Sequence, residues 1–563
     1  MRPIRVLFYV DSAAMMSHCL AAAELIRGHL GAHIIMMLVD SEKYINETIK
    51  NYEVYDYGSL FSSPRRFVPV WPRTKARAKK RGRLLKLVRF VVCMSLGRHR
   101  SGRGLRSNFR WALVTSKHIC RQYVPSKIAR AILLSFVLGF VGSVRTICNI
   151  ALLTRRQLCL ARELLKKKVI DRLRTTQMGQ LGQQLSRLLI SAGGVSEFLR
   201  AVEPDIIVLP EDNVETLSTI FIARGCARGI PSIIVPFTIP NSLEPARYYL
   251  NNPLYHARGL CARILAACYP KWCFEQAGRK LLRQPAITAW LLEVLGLSSP
   301  APWILNRGRA ASIALDSEAQ RDLYLRLGFP PGQLSVTGDV SGAILYNALT
   351  NRERLLEELC SGEGLQPGRP LILCGFPPDQ YLGTDVGQFE FPSYDALISA
   401  WMDSFRALGN RANILVRPHP RISIDRLAGY ENANIKFTRR QTAELIPLCD
   451  LYVASISATI RWAIACGIPT VNYDTFRYRY ADYNSAPGVV SVETLDEFRA
   501  LIARFMDDPQ FAAGLAERQR GVMKYWGRLD DKVADRLSAL VGEAVDAGGA
   551  SQLPDRVRGH AWI

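Results

Sequence analysis

The chain has 563 residues, 48% of them hydrophobic, and a formal net charge of +24. That length exceeds one ordinary core and predicts two domains plus an extra element. The apolar fraction is that of a globular chain, which excludes an intrinsically disordered one.

The first residues, MRPIRVLFYVDS, carry an apolar run at 4–10 with no small-residue cleavage site after it. This reads as a buried strand rather than a signal peptide. A strand at 5–10, a helix at 13–30, a second strand at 33–40 and the start of a third at 54–57 predict a parallel α/β unit.

The charge excess then concentrates in one place. Between Tyr57 and Arg162 there is no Asp or Glu and there are 24 Lys and Arg, while the rest of the chain balances at 49 of each sign. Residues 64–90 are polybasic with Phe67, Trp71 and Phe90 interleaved, and residues 131–153 hold one charge, Arg145. A spanning helix needs about 20 apolar residues, so that length permits a crossing. Strands on both sides of the segment are expected in one sheet, however, which requires the chain to return. The other apolar stretch, 84–96, contains Lys86 and Arg89, each costing about 2.5–3.5 kcal/mol at a bilayer centre. Interfacial helices, a re-entrant hairpin or a buried helix are the readings left for 131–153. Polybasic stretches with aromatics also suit nucleic-acid backbones, but the neutral body argues against that partner. An anionic membrane surface is the partner expected for 57–162.

The α/β rhythm resumes after a Lys-, Arg- and Leu-rich helical stretch at 155–190. Residues 205–210 and 231–237 read as strands flanking a helix over 211–229. A second series is expected from 297: strands at 311–317, 332–338, 370–376, 413–420, 451–455 and 468–474, with a helix at 458–467. The tail from Leu495 reads as amphipathic helix that packs back on the body. The organisation expected is therefore an N-terminal Rossmann-like domain (1–56 and 190–296), a basic helical insertion (57–189), a C-terminal Rossmann-like domain (297–494) and a helical tail (495–563).

In parallel sheets ligands sit at the carboxyl ends of strands, and three polar clusters pass that test. Arg417-Pro418-His419-Pro420 offers a cation and an imidazole suited to a phosphate or nucleotide edge, or forms an ordinary stiff turn. Ser455, Ser457 and Thr459 precede a helix and either bind an anion or simply cap it. Glu211-Asp212-Asn213 supplies a general base or an acidic N-cap. Asp379 and Gln380, in the loop after the 370–376 strand, and Glu244 are further cleft candidates. No P-loop, HExxH, zinc-spaced His set or Asp-x-Asp occurs, so a metal-bridged diphosphate site is not expected. Thirteen cysteines without a CxxC pair read as reduced thiols of a cytoplasmic protein.

VRPHPR at 416–421 followed by ASISATIRWAIACGIPTVNYD at 454–474 resembles the HP and Ser/Thr motifs of bacterial sialyltransferases and Kdo transferases. These are GT-B glycosyltransferases of surface-polysaccharide synthesis. Glu211-Asp212-Asn213 resembles their acidic motif, with Asn213 where Gly is expected. The pattern is also similar to teichoic-acid glycerophosphotransferases and, more loosely, to UDP-sugar 2-epimerases. The resemblance implies two Rossmann-like domains and metal-independent transfer from a nucleotide sugar to a cell-surface glycan or lipid-linked acceptor. It places nucleotide contact on His419, phosphate binding on Ser457 and Thr459, and the base on Glu211 or Asp212. No further cofactor is expected, and the basic segment 57–162 is expected to hold the chain peripherally at the inner membrane face. Trp462 stands where many GT-B enzymes hold the donor ribose with Glu, which favours a CMP-linked over a UDP-linked donor. Sugar-nucleotide epimerisation and a non-catalytic scaffold are the rival readings.

Overall fold

A computed structural model of the chain describes residues 2–39, 52–56, 177–381 and 389–549. The polybasic and apolar stretches of 57–162, and residues 550–563, lie outside the described residues.

The expected α/β architecture with two Rossmann-like sheets is what the described residues form. The first sheet has seven strands in the order β3-β2-β1-β4-β5-β8-β9. They are β1 (Arg5–Val10), β2 (His33–Leu38), β3 (Glu53–Asp56), β4 (Ile206–Leu209), β5 (Ser232–Ile234), β8 (Ser312–Leu315) and β9 (Leu334–Val336). The second has six, in the order β12-β11-β10-β13-β14-β15: β10 (Leu371–Phe376), β11 (Asn413–Pro418), β12 (Ile435–Phe437), β13 (Leu451–Ala454), β14 (Thr470–Tyr473) and β15 (Val489–Val492). Every pairing in both is parallel. A hairpin of β6 (Cys273–Gln276) and β7 (Arg279–Leu282) stands apart.

The central strands are apolar along their whole length because helices cover both faces. Val6, Phe8 and Val10 of β1 pack against the helix Ala13–Leu30, while Leu7 and Tyr9 pack against the helix Gln177–Val202 on the other side. The second sheet divides its buried residues in the same way, with Cys374 on one face and Leu373 on the other.

Two expectations need correction. The domain boundary at 297 falls too early, because β8 and β9 are hydrogen-bonded into the first sheet, Ile233 pairing with Ser312 and Ile313 with Leu334. The helix expected over 211–229 is confined to Ser218–Cys226. Asn213 Oδ1 accepts the N–H of Glu215 (3.0 Å), and Thr216 Oγ1 donates to the Asn213 carbonyl (3.0 Å), a local arrangement that competes with helix. The tail packs back on the body, and it does so on both halves. The helix Leu495–Asp507 buries Phe498 and Ile502 in the second half, whereas Val533–Gly549 returns to bury Leu537, Leu540 and Val541 in the first.

Candidate active site

Each sheet reverses its strand order once, between β1 and β4 and between β10 and β13. Those are the points where an open parallel sheet leaves a crevice. Asp11 follows β1 and Glu211 lies just beyond β4, so two carboxylates flank the first crevice. Glu211 is 5% exposed. Burial pushes its carboxyl up to about 7, hydrogen bonds from Asn213 and Thr238 oppose that, and the nearby charges of Asp11 and Glu244 add to it. Thr238 Oγ1 donates to Glu211 Oε2 at 3.3 Å. Burial also raises Asp11, against a hydrogen bond from Thr216. Like charges in a dry site hold a proton more tightly, and a carboxylate titrating near neutrality is suited to general-base work.

Asp212 has other partners. Its Oδ1 accepts the backbone N–H of Asn306 at 2.5 Å, and Asn306 Oδ1 accepts the Asp212 N–H at 3.3 Å. Asn306 is fully buried, holds a left-handed φ of 68° and donates to the Tyr324 hydroxyl at 2.9 Å. The backbone of Gly308 lies so close that a Cβ there would meet Asp212 Oδ2. Asp212, pushed up to about 8 by burial, therefore fastens the 306–308 loop to the end of β4. Of the two adjacent carboxylates, the geometry leaves Glu211 for chemistry. Asn213, found where the resemblance calls for Gly, accepts from the buried Arg283 at 3.2 Å, and Arg283 also pairs with Glu215 at 2.5 Å.

In the second half His419 follows β11 directly. Its N–H donates to the Phe376 carbonyl at 3.1 Å, and its Nδ1 accepts the N–H of Arg421 at 3.2 Å. The neutral ring then carries its proton on Nε2. Burial, followed by the charges of Arg421 and Arg417, holds it down to about 4, so near pH 7 it is a neutral donor. Arg417 commits Nε to the Arg440 carbonyl at 2.8 Å and Nη1 to that of Pro418. It braces the end of β11 rather than presenting an open fork.

The turn after β13 is strained and rich in hydroxyls. Ile456 holds a φ of 47°, a rare conformation for a β-branched residue and one that clusters at functional sites. Its N–H donates to Asn472 Oδ1 at 2.9 Å. Ser457 Oγ and Thr459 Oγ1 lie 2.7 Å apart, and Thr459 Oγ1 lies 2.6 Å from the Tyr452 hydroxyl. Glycine at 375 lets that hydroxyl through, since a Cβ there would collide with it. Ser455 Oγ is buried and has no hydrogen-bond partner among the described residues. The helix expected over 458–467 is only Ile460–Ala465, with Thr459 at its N-cap and no side-chain capping bond.

The two halves meet at these strand ends. Glu244, on the helix Leu243–Leu250, is raised by burial and by Asp482, while Arg421 lowers it. Arg421 is thus an electrostatic neighbour of both His419 and Glu244, and Glu244 of Glu211. Arg247, one turn along, donates to the carbonyls of Arg477 (3.1 Å) and Tyr478 (2.6 Å). Its guanidinium lies 5.3 and 5.6 Å from the Tyr478 and Tyr480 ring centres. Trp462 Nε1 donates to Asp339 Oδ2 at 2.9 Å, and buried Arg461 pairs with buried Asp316. Asp379, with Gln380 beside it, caps its own turn: Oδ1 accepts the Tyr381 N–H at 3.0 Å and Oδ2 lies 3.9 Å from Arg426.

The structure therefore brings Glu211, Glu244 and His419 into one chain of neighbours, turns Asp212 away, and gives Asp379 a local role. Sequence reasoning passed over Asp11, Thr238, Arg421 and Asp482. Asp11 satisfies the same strand-end rule as Glu211, and Arg421 lies inside VRPHPR. Asp482 has no local signal.

No family model and no curated protein matches this sequence. Among solved structures, a UDP-GlcNAc 2-epimerase from Neisseria meningitidis is 9% identical over 97% of this chain and 100% of its own, with a TM-score of 0.42. The glycotransferase of kitacinnamycin is 12% identical over 97% and 100%, with a TM-score of 0.46. The wall teichoic acid polymerase TagF is 14% identical over 42% and 59%, with a TM-score of 0.32.

Proposed function

We propose that this chain moves a sugar from a nucleotide-sugar donor to a hydroxyl of a glycan or lipid-linked acceptor. The observation that carries the reading is Glu211, a carboxylate 5% exposed and pushed up to about 7, linked through Glu244 and Arg421 to His419 of the other half. Glu211 takes the acceptor proton as the acceptor oxygen attacks the anomeric carbon. The bond from that carbon to the donor phosphate breaks, and the phosphate leaves with the electron pair. His419 Nε2–H and the hydroxyls of Ser455, Ser457 and Thr459 stabilise its charge. A CMP-linked donor is favoured, because Trp462 is committed to Asp339 and offers the ribose no carboxylate. The basic stretch 57–162 supports placement at an anionic membrane surface on the cytoplasmic side.

Glu211→Gln removes the base and keeps the shape. It is expected to lower kcat by about 100-fold or more with nucleotide affinity unchanged. The wild-type kcat/KM should rise with pH through about 7, because the ionised carboxylate is the active form. Steady-state assays of both proteins decide this. An unimpaired Gln variant, or a flat profile between about pH 5.5 and 8.5, overturns the assignment. Conversion of the nucleotide sugar alone, without acceptor, points instead to epimerisation.

A further inference from the structure

Four of the six large apolar side chains exposed among the described residues lie between Tyr248 and Ile264: Tyr248 57%, Leu254 70%, Leu260 77% and Ile264 46%. The helix Leu260–Cys268 explains the geometry. It buries Ala262 and Leu265 against the body, which leaves Leu260 and Ile264, one turn apart, on the outer side with exposed Arg263 beside Ile264. Leu254 occupies the 3-10 turn Pro253–Tyr255, and Tyr248 lies in the last turn of the helix that carries Glu244.

The charge of this region is as uneven as its polarity. Residues 245–285 contain seven Lys and Arg and one acidic residue, Glu275. Arg247 and Arg283 are used internally, Lys271 pairs with Glu293 at 2.8 Å, and Arg279 donates Nη1 to the Leu250 carbonyl at 2.8 Å. Arg258, Arg263, Arg279 and Lys280 are exposed, and Glu275, the cross-strand neighbour of Lys280, is the one acidic residue within 245–285. Exposed leucines interleaved with exposed cations form the surface that seats in a headgroup layer. A tyrosine at its margin suits the same interface. A soluble polyanion would satisfy the cations and leave the leucines in water.

We infer that the face carrying Tyr248, Leu254, Leu260 and Ile264, with Arg258, Arg263, Arg279 and Lys280, docks on an anionic lipid bilayer. The docking is separate from the basic stretch 57–162 and stands whether or not the chain transfers sugar. One consequence does rest on the proposed transfer. The helix Leu243–Leu250 reaches the cleft through Glu244 and Arg247 and the docking face through Tyr248, so a lipid-linked acceptor would arrive beside Glu211.

Hydrogen–deuterium exchange of the full chain tests this with vesicles of phosphatidylglycerol and phosphatidylcholine, with vesicles of phosphatidylcholine alone, and without lipid. Amides of 254–268 should be protected several-fold by the anionic vesicles alone. In the double variant Leu260→Ser/Ile264→Ser that protection should vanish and vesicle affinity should fall about tenfold or more, with turnover of a soluble acceptor unchanged. Unaltered exchange at 254–268 while the chain floats with the vesicles overturns the inference. So does protection that appears with rising protein concentration in the absence of lipid, which marks a contact between copies. Lost turnover with intact docking counts against the transfer reading alone.

Discussion

Glu211 and Asp212 are adjacent in sequence and unlike in surroundings. Glu211 faces hydroxyl and carboxylate neighbours near the cleft, whereas Asp212 is buried against the backbone of 306–308. The difference has a sign that stability measurements can read. Asp212 is raised from its ordinary 3.8 to about 8, so the folded protein holds its proton more tightly than the unfolded chain. Its contribution to stability is complete below about pH 4 and is lost as pH rises through about 8. Asp212→Asn stays neutral and keeps an acceptor for the Asn306 N–H. The thermal midpoint of that variant should therefore fall less between about pH 5 and 8.5 than that of the wild type. Equal slopes would contradict the assignment. His419 acts in the opposite sense, its share of stability being lost as pH falls from 6.5 through about 4.

At the scale of elements, legibility followed burial. RVLFYV and the helix after it were readable to the residue, because a central parallel strand is apolar on both faces and Gly31 (φ 59°) ends the helix. The short edge strands Ile435–Phe437 and Val489–Val492 carry too few residues for a pattern. The sheet membership of β8 and β9 was hidden for a different reason. A four-residue apolar strand reads the same whichever sheet it joins, and non-local pairing alone decides. The site shows the same division. The strand-end rule pointed to Glu211, His419 and the 455–459 turn as candidates, but it could not tell that Asp212 and Arg417 are committed to backbone or that Asp482 meets Glu244 from the other half. Nor did overall charge balance outside 57–162 reveal the basic, apolar face between Tyr248 and Lys280.

At the scale of the molecule, the halves are joined by buried polar contacts as well as by the returning helix Val533–Gly549. Arg461, 6% exposed, pairs with Asp316, 8% exposed. Removing one member of a buried pair strands the other and costs about 3–5 kcal/mol, whereas replacing both is far milder. Arg461→Met should therefore destabilise by that amount in denaturant titrations, and Arg461→Met with Asp316→Asn by clearly less. A single variant as mild as the double would show that the pair does not hold the halves together.

The claim that a nucleotide sugar binds between those halves is tested most directly by thermal shift against CMP, CDP, UDP, GDP and their sugars. Ligand at 100 times its Kd stabilises by about 2.7 kcal/mol, a shift of several degrees. One nucleotide, with CMP favoured, should raise the midpoint of the wild type and of Glu211→Gln but not of His419→Ala. A chain indifferent to every nucleotide, or a shift that survives His419→Ala, would contradict it.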